Sequence, residues 1–268
     1  MVAKNGVANV DNSVNPFLEE VEMKMKKYML ILLLIIAGVC NAVPLSDNSC
    51  TVGLWHMDSA SSGIVADDDS SNTGRDNNLT LVGASLTTGS GGIYGEAVSY
   101  DGSDYSTASW KGGTSFVLDG WFQPDDFSSS TSKTAFCIYH VAQITFRSNN
   151  LYFYAYNTGS TATALSVLNL SADTWYHVIA TVDESGAMTL NVFSEDGSLI
   201  GSSTGNTSGV GGFHVDTRTM YIGAAGVSSG VAASAYTGLI DDLRISTVPE
   251  PATLALFGIG CLLLRKKK

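Results

Sequence analysis

Charge is scarce in this chain. Asp, Glu, Lys and Arg make up 15% of its 268 residues, against about 25% in an average soluble protein. Bases are scarcer still, with 14 Lys and Arg facing 25 Asp and Glu. Residues 1–42 hold four acids and four bases, and residues 249–268 one acid and four bases; the stretch between them carries twenty acids, six bases and a net −14. Such a surface repels phosphate backbones, whose binding needs Lys and Arg to displace counterions, so nucleic acid is excluded as a partner. It suits a divalent cation, or serves solubility alone. Proline is rare, at 5 residues, and no stretch sustains a helical period, so a helical domain is not expected. No apolar run reaches the roughly 20 residues of a membrane-spanning helix. What is present is 44% hydrophobic residues, 28 Gly, and polarity supplied by Ser, Thr and Asn, a mixture that suits short strands joined by many turns.

The longest apolar runs lie at the two ends. Lys24, Lys26 and Lys27 precede Tyr28–Val39, and Cys40-Asn41-Ala42 follows. A cationic start, a short apolar stretch and a small residue form a secretory signal layout, with cleavage expected after Ala42. The acids Asp11, Glu19, Glu20 and Glu22 have the wrong sign for its leading region, so translation is expected to start at Met23 or Met25, leaving residues 1–22 untranslated. A lipidated Cys40 would call for a small residue before it, and Val39 stands there.

At the other end, Val248-Pro249-Glu250-Pro251-Ala252-Thr253 leads into an apolar stretch ending at Leu264 and closed by Arg265, Lys266, Lys267 and Lys268. The stretch is marginal for spanning a bilayer, while the terminal cations favour the cytoplasmic face, so transient membrane association through this tail is expected. In order and residue type the tail resembles the PEP-CTERM sorting signal. The resemblance implies processing by an exosortase, with Pro249, Glu250 and Pro251 as the recognition element, and delivery to the cell envelope, cell surface or extracellular matrix.

The mature region, 43–247, is read as one all-β domain. Runs with period-2 alternation or β-branched and aromatic enrichment occur at Gly53–Asp58, Ala97–Tyr100, Ser115–Phe122, Phe136–Tyr139, Leu151–Tyr156, Trp175–Val182, Met188–Phe193, Met220–Ile222 and Leu239–Ile245. Gly-, Ser- and Asp-rich turn clusters separate them, the spacing of a two-sheet sandwich or jelly roll. Five segments then carry a family likeness: Gly53–Asp58; Asp69–Gly74 with Leu79-Thr80-Leu81; Gly95–Ser103; Trp175–Asp183; and Thr237–Ile245. In this order they resemble the laminin G-like domains of the concanavalin A-like superfamily, which implies a jelly roll. The segment Asp101–Ser106 departs from the family pattern, and polar Ser106 is expected to loosen the strand there.

Folds of this class host both glycosidases and lectins. A retaining glycosidase needs two carboxyl groups about 5 to 5.5 Å apart, and on this fold they come from a Glu-x-Asp-x-(x)-Glu strand, which is absent. The mature region has three glutamates, Glu96, Glu184 and Glu195, none suitably partnered. Gly201-Ser202-Ser203-Thr204-Gly205 fits the nucleophile-elbow pattern in letters, but that pattern acts between a strand and a helix, and here it is expected in a Ser/Gly-rich turn. His177 alternates with Trp175 and Ile179 and is expected to be packed.

Binding is the reading that remains. Calcium takes hard oxygen ligands, and the resemblance implies one ion at the sandwich edge; Asp58, Asp101, Asp241 and Asp242 are the candidates, with Asp67-Asp68-Asp69 a second cluster. Neighbouring strand residues alternate faces, so Asp241 and Asp242 reach one ion only across a bulge. Tyr152, Tyr154 and Tyr156 share one face of a strand whose other face is Leu151, Phe153 and Ala155, and they are the candidate platform for a sugar; pairing across strands is the structural alternative. Cys50 and Cys137 are candidates for a disulfide worth roughly 4 to 5 kcal/mol, or for two separately buried thiols. The function expected is a non-catalytic module that binds a polysaccharide or cell-surface glycan, or adheres; the alternatives are a structural matrix protein and, last, a glycoside hydrolase.

Overall fold

Residues that alternate apolar with Ser, Thr or Gly fit a pleated sheet with one buried face, and this chain folds accordingly. The computed structural model describes residues 45–46, 51–66, 77–87, 89, 91–111, 115–157, 161–207 and 217–247, all within the unit Ala42–Lys268. The signal segment, Ala42, Cys50, Asp67-Asp68-Asp69 and the tail from Val248 lie outside the described residues.

Among the described residues eighteen strands follow one another and no helix occurs. The first six are β1 (Thr51–Trp55), β2 (Ile64–Val65), β3 (Leu79–Val82), β4 (Ser85–Leu86), β5 (Val98–Asp101) and β6 (Tyr105–Lys111). Next come β7 (Phe116–Pro124), β8 (Lys133–Ile138), β9 (Ala142–Arg147), β10 (Asn150–Tyr156), β11 (Ala162–Val167) and β12 (Tyr176–Val182). The last six are β13 (Ala187–Ser194), β14 (Leu199–Asn206), β15 (Thr217–Ile222), β16 (Gly226–Ser228), β17 (Val231–Ala233) and β18 (Thr237–Ser246). One sheet runs β14-β13-β12-β7-β18-β5-β4, with β1 also on β18; the other runs β11-β10-β9-β8-β15-β6-β3-β2. All named pairings are antiparallel. We refer to them as the β18 sheet and the β10 sheet.

The core lies between the two inner faces. Trp55, Leu118, Phe122, Val178, Leu190 and Ile240 of the β18 sheet meet Phe136, Ile144, Phe146, Phe153 and Met220 of the β10 sheet. Aromatic rings bridge the layers edge to face: Phe116 on β7 lies 6.3 Å from Phe153 on β10 at an interplanar angle of 84°. Contacts of this kind contribute about 0.5–1.5 kcal/mol beyond their area burial.

The nine expected strands all form, with ends shifted by up to three residues. Two local expectations fail. Ser106 does not loosen its strand: β6 runs seven residues, and buried Ser106 Oγ lies 2.9 Å from Tyr100 Oη, so each hydroxyl satisfies the other inside the core. The segment Gly201–Gly205 is not a turn but the middle of edge strand β14. Its glycines are required by packing: a Cβ at Gly201 would come within 2.7 Å of Val167, and one at Gly205 within 2.8 Å of Leu165, so small residues let β14 lie against β11.

Candidate functional site

Along β10 the alternation places Leu151, Phe153 and Ala155 in the core and leaves Tyr152, Tyr154 and Tyr156 half-buried on the outer face. Strand register then sets what stands beside them. Tyr154 pairs with Gln143, Gln143 with Cys137, Cys137 with Tyr221, Tyr221 with Thr107, and Thr107 with Thr80. With strands about 4.8 Å apart, this line crosses the sheet for about 24 Å. Hydrogen bonds fix its middle: Tyr156 Oη donates to Gln143 Oε1 at 3.1 Å, and Gln143 Nε2 donates to Thr134 Oγ1 at 2.8 Å.

Rings continue the tyrosine row. Tyr152 and Tyr154 lie 6.0 Å apart and nearly parallel, Tyr156 is 6.0 Å from His140, and His140 is 4.1 Å from Tyr139. Tyr139 walls a cleft of about 640 Å³ floored by Thr217, Thr219 and Tyr221 of β15 and flanked by Arg218. The opposite wall is the β16–β17 hairpin, closed by Ser229 and Gly230 at positive φ, the two-residue turn that matches strand twist. The volume falls within the range of small-molecule sites.

Charge is sorted between the sheets. Strands of the β10 sheet contain no Asp or Glu and hold Lys111, Lys133, Arg147 and Arg218; strands of the β18 sheet hold Asp101, Asp119, Asp241 and Asp242 with one base, Arg244. Cys137, in the middle of the line, carries a free, buried thiol whose pKa burial pushes up to about 12. The disulfide considered for it is therefore absent from Cys137, and its place is that of a small filler between Gln143 and Tyr221.

The other candidate residues meet at β18. The register of this strand against β7 shifts between Asp241 and Arg244, and Asp242 has φ 47°, so a bulge stands where β5 ends and β1 begins on its far side. Even so, the two carboxylates part. Asp241 Oδ2 accepts from the backbone N–H of Ile93 at 2.8 Å and of Tyr94 at 3.2 Å. Asp242 Oδ1 lies 2.5 Å from His56 Nδ1, and its Oδ2 accepts from Leu45 N–H at 2.5 Å. Burial pushes both groups upward, Asp241 to about 7. Asp58 Oδ1 accepts from Glu96 N–H at 3.3 Å, so Asp58 and Asp241 hold the same turn, Gly92–Glu96. Asp101 stands apart, opposite Thr237, and is engaged by Ser103. Among the described residues no group of three or more His, Cys, Asp and Glu converges on a metal position. Asp241 Oδ1 is nevertheless buried without a hydrogen-bond partner, and Gly92 packs so closely that a Cβ there would clash with Glu96 O and come within 2.7 Å of Asp241 Oδ2.

His177 is packed as expected, although its main partner is Trp121 rather than Trp175. The two rings stack at 4.8 Å and 12°, and Nε2 lies 2.6 Å from Asp119 Oδ1. Arg244 closes this buried network on Asp119 Oδ2 at 2.7 Å and reaches Ser46 O at 2.8 Å.

Tyr105, whose ring lies 6.4 Å from that of Tyr221, was not legible as a candidate, and neither were Tyr139, Tyr221 and Gln143. Tyr105 and Tyr221 alternate visibly within their strands, but only the pairing of β15 with β6 and β8 brings them to this face.

Comparison with known proteins places these features. A family model described as Concanavalin A-like lectin/glucanases superfamily matches residues 99–252, and the PEP-CTERM protein-sorting motif matches residues 247–268. No curated protein matches the chain. Among solved structures, the botulinum neurotoxin serotype D binding domain is 14% identical with a TM-score of 0.55, covering 76% of this chain and 49% of that one. The binding domain of Paraclostridial Mosquitocidal Protein 1 is 12% identical with a TM-score of 0.55, at 78% and 52% coverage. The serotype D ligand binding domain in complex with N-acetylneuraminic acid is 13% identical with a TM-score of 0.56, at 75% and 48%. The chain spans about half the length of these structures, and at such identities the likeness is one of fold.

Proposed function

Since this chain belongs to the concanavalin A-like lectin/glucanases superfamily and closes with a PEP-CTERM sorting motif that marks it for export and the cell envelope, we propose that it is a non-catalytic carbohydrate-binding module acting at the cell surface or in the extracellular matrix. The observation that carries this reading is the row of half-buried tyrosines on the outer face of the β10 sheet, leading through His140 and Tyr139 into the cleft. Flat rings offer sugars an apolar platform, and the Gln amide and the Thr and Tyr hydroxyl groups beside them supply polar partners. A glycosidase would place two carboxylates on its working face, whereas the strands of this sheet have none. The N-acetylneuraminic acid bound to one fold neighbour adds support for a sugar, through the shared fold alone.

A glycan array probed with the mature domain tests the reading. Tyr154→Ala is expected to weaken retention at least tenfold with an unchanged unfolding temperature. Equal retention by the variant, or release of sugar from any bound polysaccharide, overturns it.

Calcium belongs to the same proposal. The unpartnered Oδ1 of Asp241 beside the Gly92–Glu96 turn is a hard oxygen that suits such a cation, and with Asp58 and backbone carbonyl groups it would hold the ion. The ion would compensate the buried charge of Asp241 and fix the turn. Asp242, already engaged by His56 and Leu45, and Asp101, at the far end of the β5 pairing, would stay outside that shell.

A further inference from the structure

The two sheets end differently on their two sides. On one side the last strands are β4 and β2, two residues each, and β1, which is buried over four of its five residues. On the other side they are β14, eight residues, and β11, six residues. Among the described residues β14 pairs with β13 alone and β11 with β10 alone, so each keeps one row of backbone N–H and C=O groups without a strand to bond. Edges of this kind are normally blunted by shortness, by Lys, by Pro or by a bulge. Neither Leu199–Asn206 nor Ala162–Val167 contains a charged residue or a proline. The one register shift in β14 falls at Ile200 and leaves Gly201–Asn206 regular.

The two open edges are also stacked. Gly201 packs on Val167 and Gly205 on Leu165, so β14 and β11 open at the same end of the sandwich. Leu168 follows Val167, and Leu199 and Ile200 precede Gly201, so three of the seven exposed large hydrophobic side chains among the described residues gather at one corner of that end. A lone extended peptide would satisfy one edge and leave the other open. A second copy of this chain presents the same stacked pair, and a two-fold axis normal to the sheets sets β14 antiparallel to its counterpart while bringing β11 opposite its own.

We propose that the protein forms a closed two-fold dimer through β14 and β11, continuing both sheets from one copy into the next. At about 3.4 Å per residue, and with sheets about 10 Å apart and a layer of side chains outside each, this end measures about 27 by 20 Å. The contact then buries about 1,000 Å² in total, the lower end for a specific interface, which fits a micromolar dimer. Growth stops at two copies because the far side offers no long unpaired strand. The acids nearest the contact lie at its ends, Glu195 and Asp196 in the turn before β14 and Asp183 and Glu184 in the turn beside its close, so salt should tighten the dimer by screening them. A consequence rests on the reading of the tyrosine face as a glycan site: the rows on β10 of the two copies would face the same way, no nearer than about 14 Å across β11 and its counterpart. One chain of sugar could then engage both rows, with the gain in retention that two linked sites give.

The test is sedimentation equilibrium of residues 43–247, which hold every described strand, from about 1 to about 200 µM, a range that brackets a micromolar constant. A monomer–dimer transition that strengthens with salt is expected, together with slower amide exchange in β14 and β11 at the higher concentrations. Thr204→Glu sets like charges on either side of the two-fold and should raise the dissociation constant at least tenfold with an unchanged unfolding temperature, while Thr204→Val, similar in size and uncharged, should keep the dimer. A monomer throughout that range at high salt overturns the proposal. Species that grow beyond two copies overturn the closure, and a dimer indifferent to Thr204→Glu puts the contact elsewhere and overturns it as well. A dimer that forms as expected yet retains no glycan upholds this interface and removes the glycan reading alone.

Discussion

Replacing Asp241 by Asn should remove most of the pH dependence of stability between pH 4 and 7. Asp241 is fully buried, one oxygen accepts two backbone N–H groups, and the other has no hydrogen-bond partner. Burial, the dominant cause, raises its pKa from 3.8 to about 7. The folded state therefore holds the proton more tightly than the unfolded chain does. Stability is greatest below the unfolded value and falls as pH rises through the window from about 4 to about 7. At about 1.4 kcal/mol per unit over roughly three units, the loss is about 4 kcal/mol. In a domain of this size that is a drop of about 10 °C in unfolding temperature. Asn keeps an acceptor for Ile93 and Tyr94 and has no charge to bury, so Asp241→Asn should hold a nearly level stability across the window. The assay is urea unfolding at half-unit pH steps in chelator, followed by tryptophan fluorescence. Asp242, also raised by burial, titrates nearby, so the difference between parent and variant is the quantity that counts. Parallel pH curves for the two proteins would refute the reasoning. Millimolar calcium should flatten the parent's curve and leave the variant unmoved; a parent curve unchanged by calcium would reject the ion while keeping the buried acid.

Ser106→Ala leaves the Tyr100 hydroxyl buried without its partner and should cost about 1–3 kcal/mol, read as a lower urea midpoint at constant slope. Gly201→Val drives a side chain into Val167 and should destabilise by about 1–3 kcal/mol or peel the edge strand away, seen as faster amide exchange in β14 and β11. Cys137, with its thiol held at about 12, should resist a thiol reagent in the native protein and react promptly in denaturant; fast native labelling would contradict its burial.

How far the sequence carried depended on whether a feature is local. The face of β10 was legible because alternation within one strand fixes which side each residue takes, and Tyr152, Tyr154 and Tyr156 stand where the period put them. That Leu239–Ile245 forms a strand was legible for the same reason, while its place as the closing strand came with the family likeness of Thr237–Ile245. Ser106 was misjudged because its partner, Tyr100, lies on a different sheet. Gly201–Gly205 looked like a turn because Gly and Ser usually mark turns, while here their smallness serves a neighbour, β11, that composition does not reveal. Asp241 and Asp242 were named as candidates, and the bulge between them was foreseen as a condition, but not that each carboxylate would go to a separate partner. The line from Tyr154 to Thr80 depends on five pairings, and the sorting of charge between sheets depends on all of them.

Strand β18 comes last among the described strands, yet it pairs with β7, β5 and β1 at once, and its side chains tie down Leu45, His56 and the 93–94 turn. A chain that emerges from the amino end therefore passes through a long interval in which the centre of one sheet is missing. During that interval β7 shows an open edge to any passing strand, and the residues that will later be fastened to β18 have nothing to fasten to. Closure of this sheet and arrival of β18 become one event.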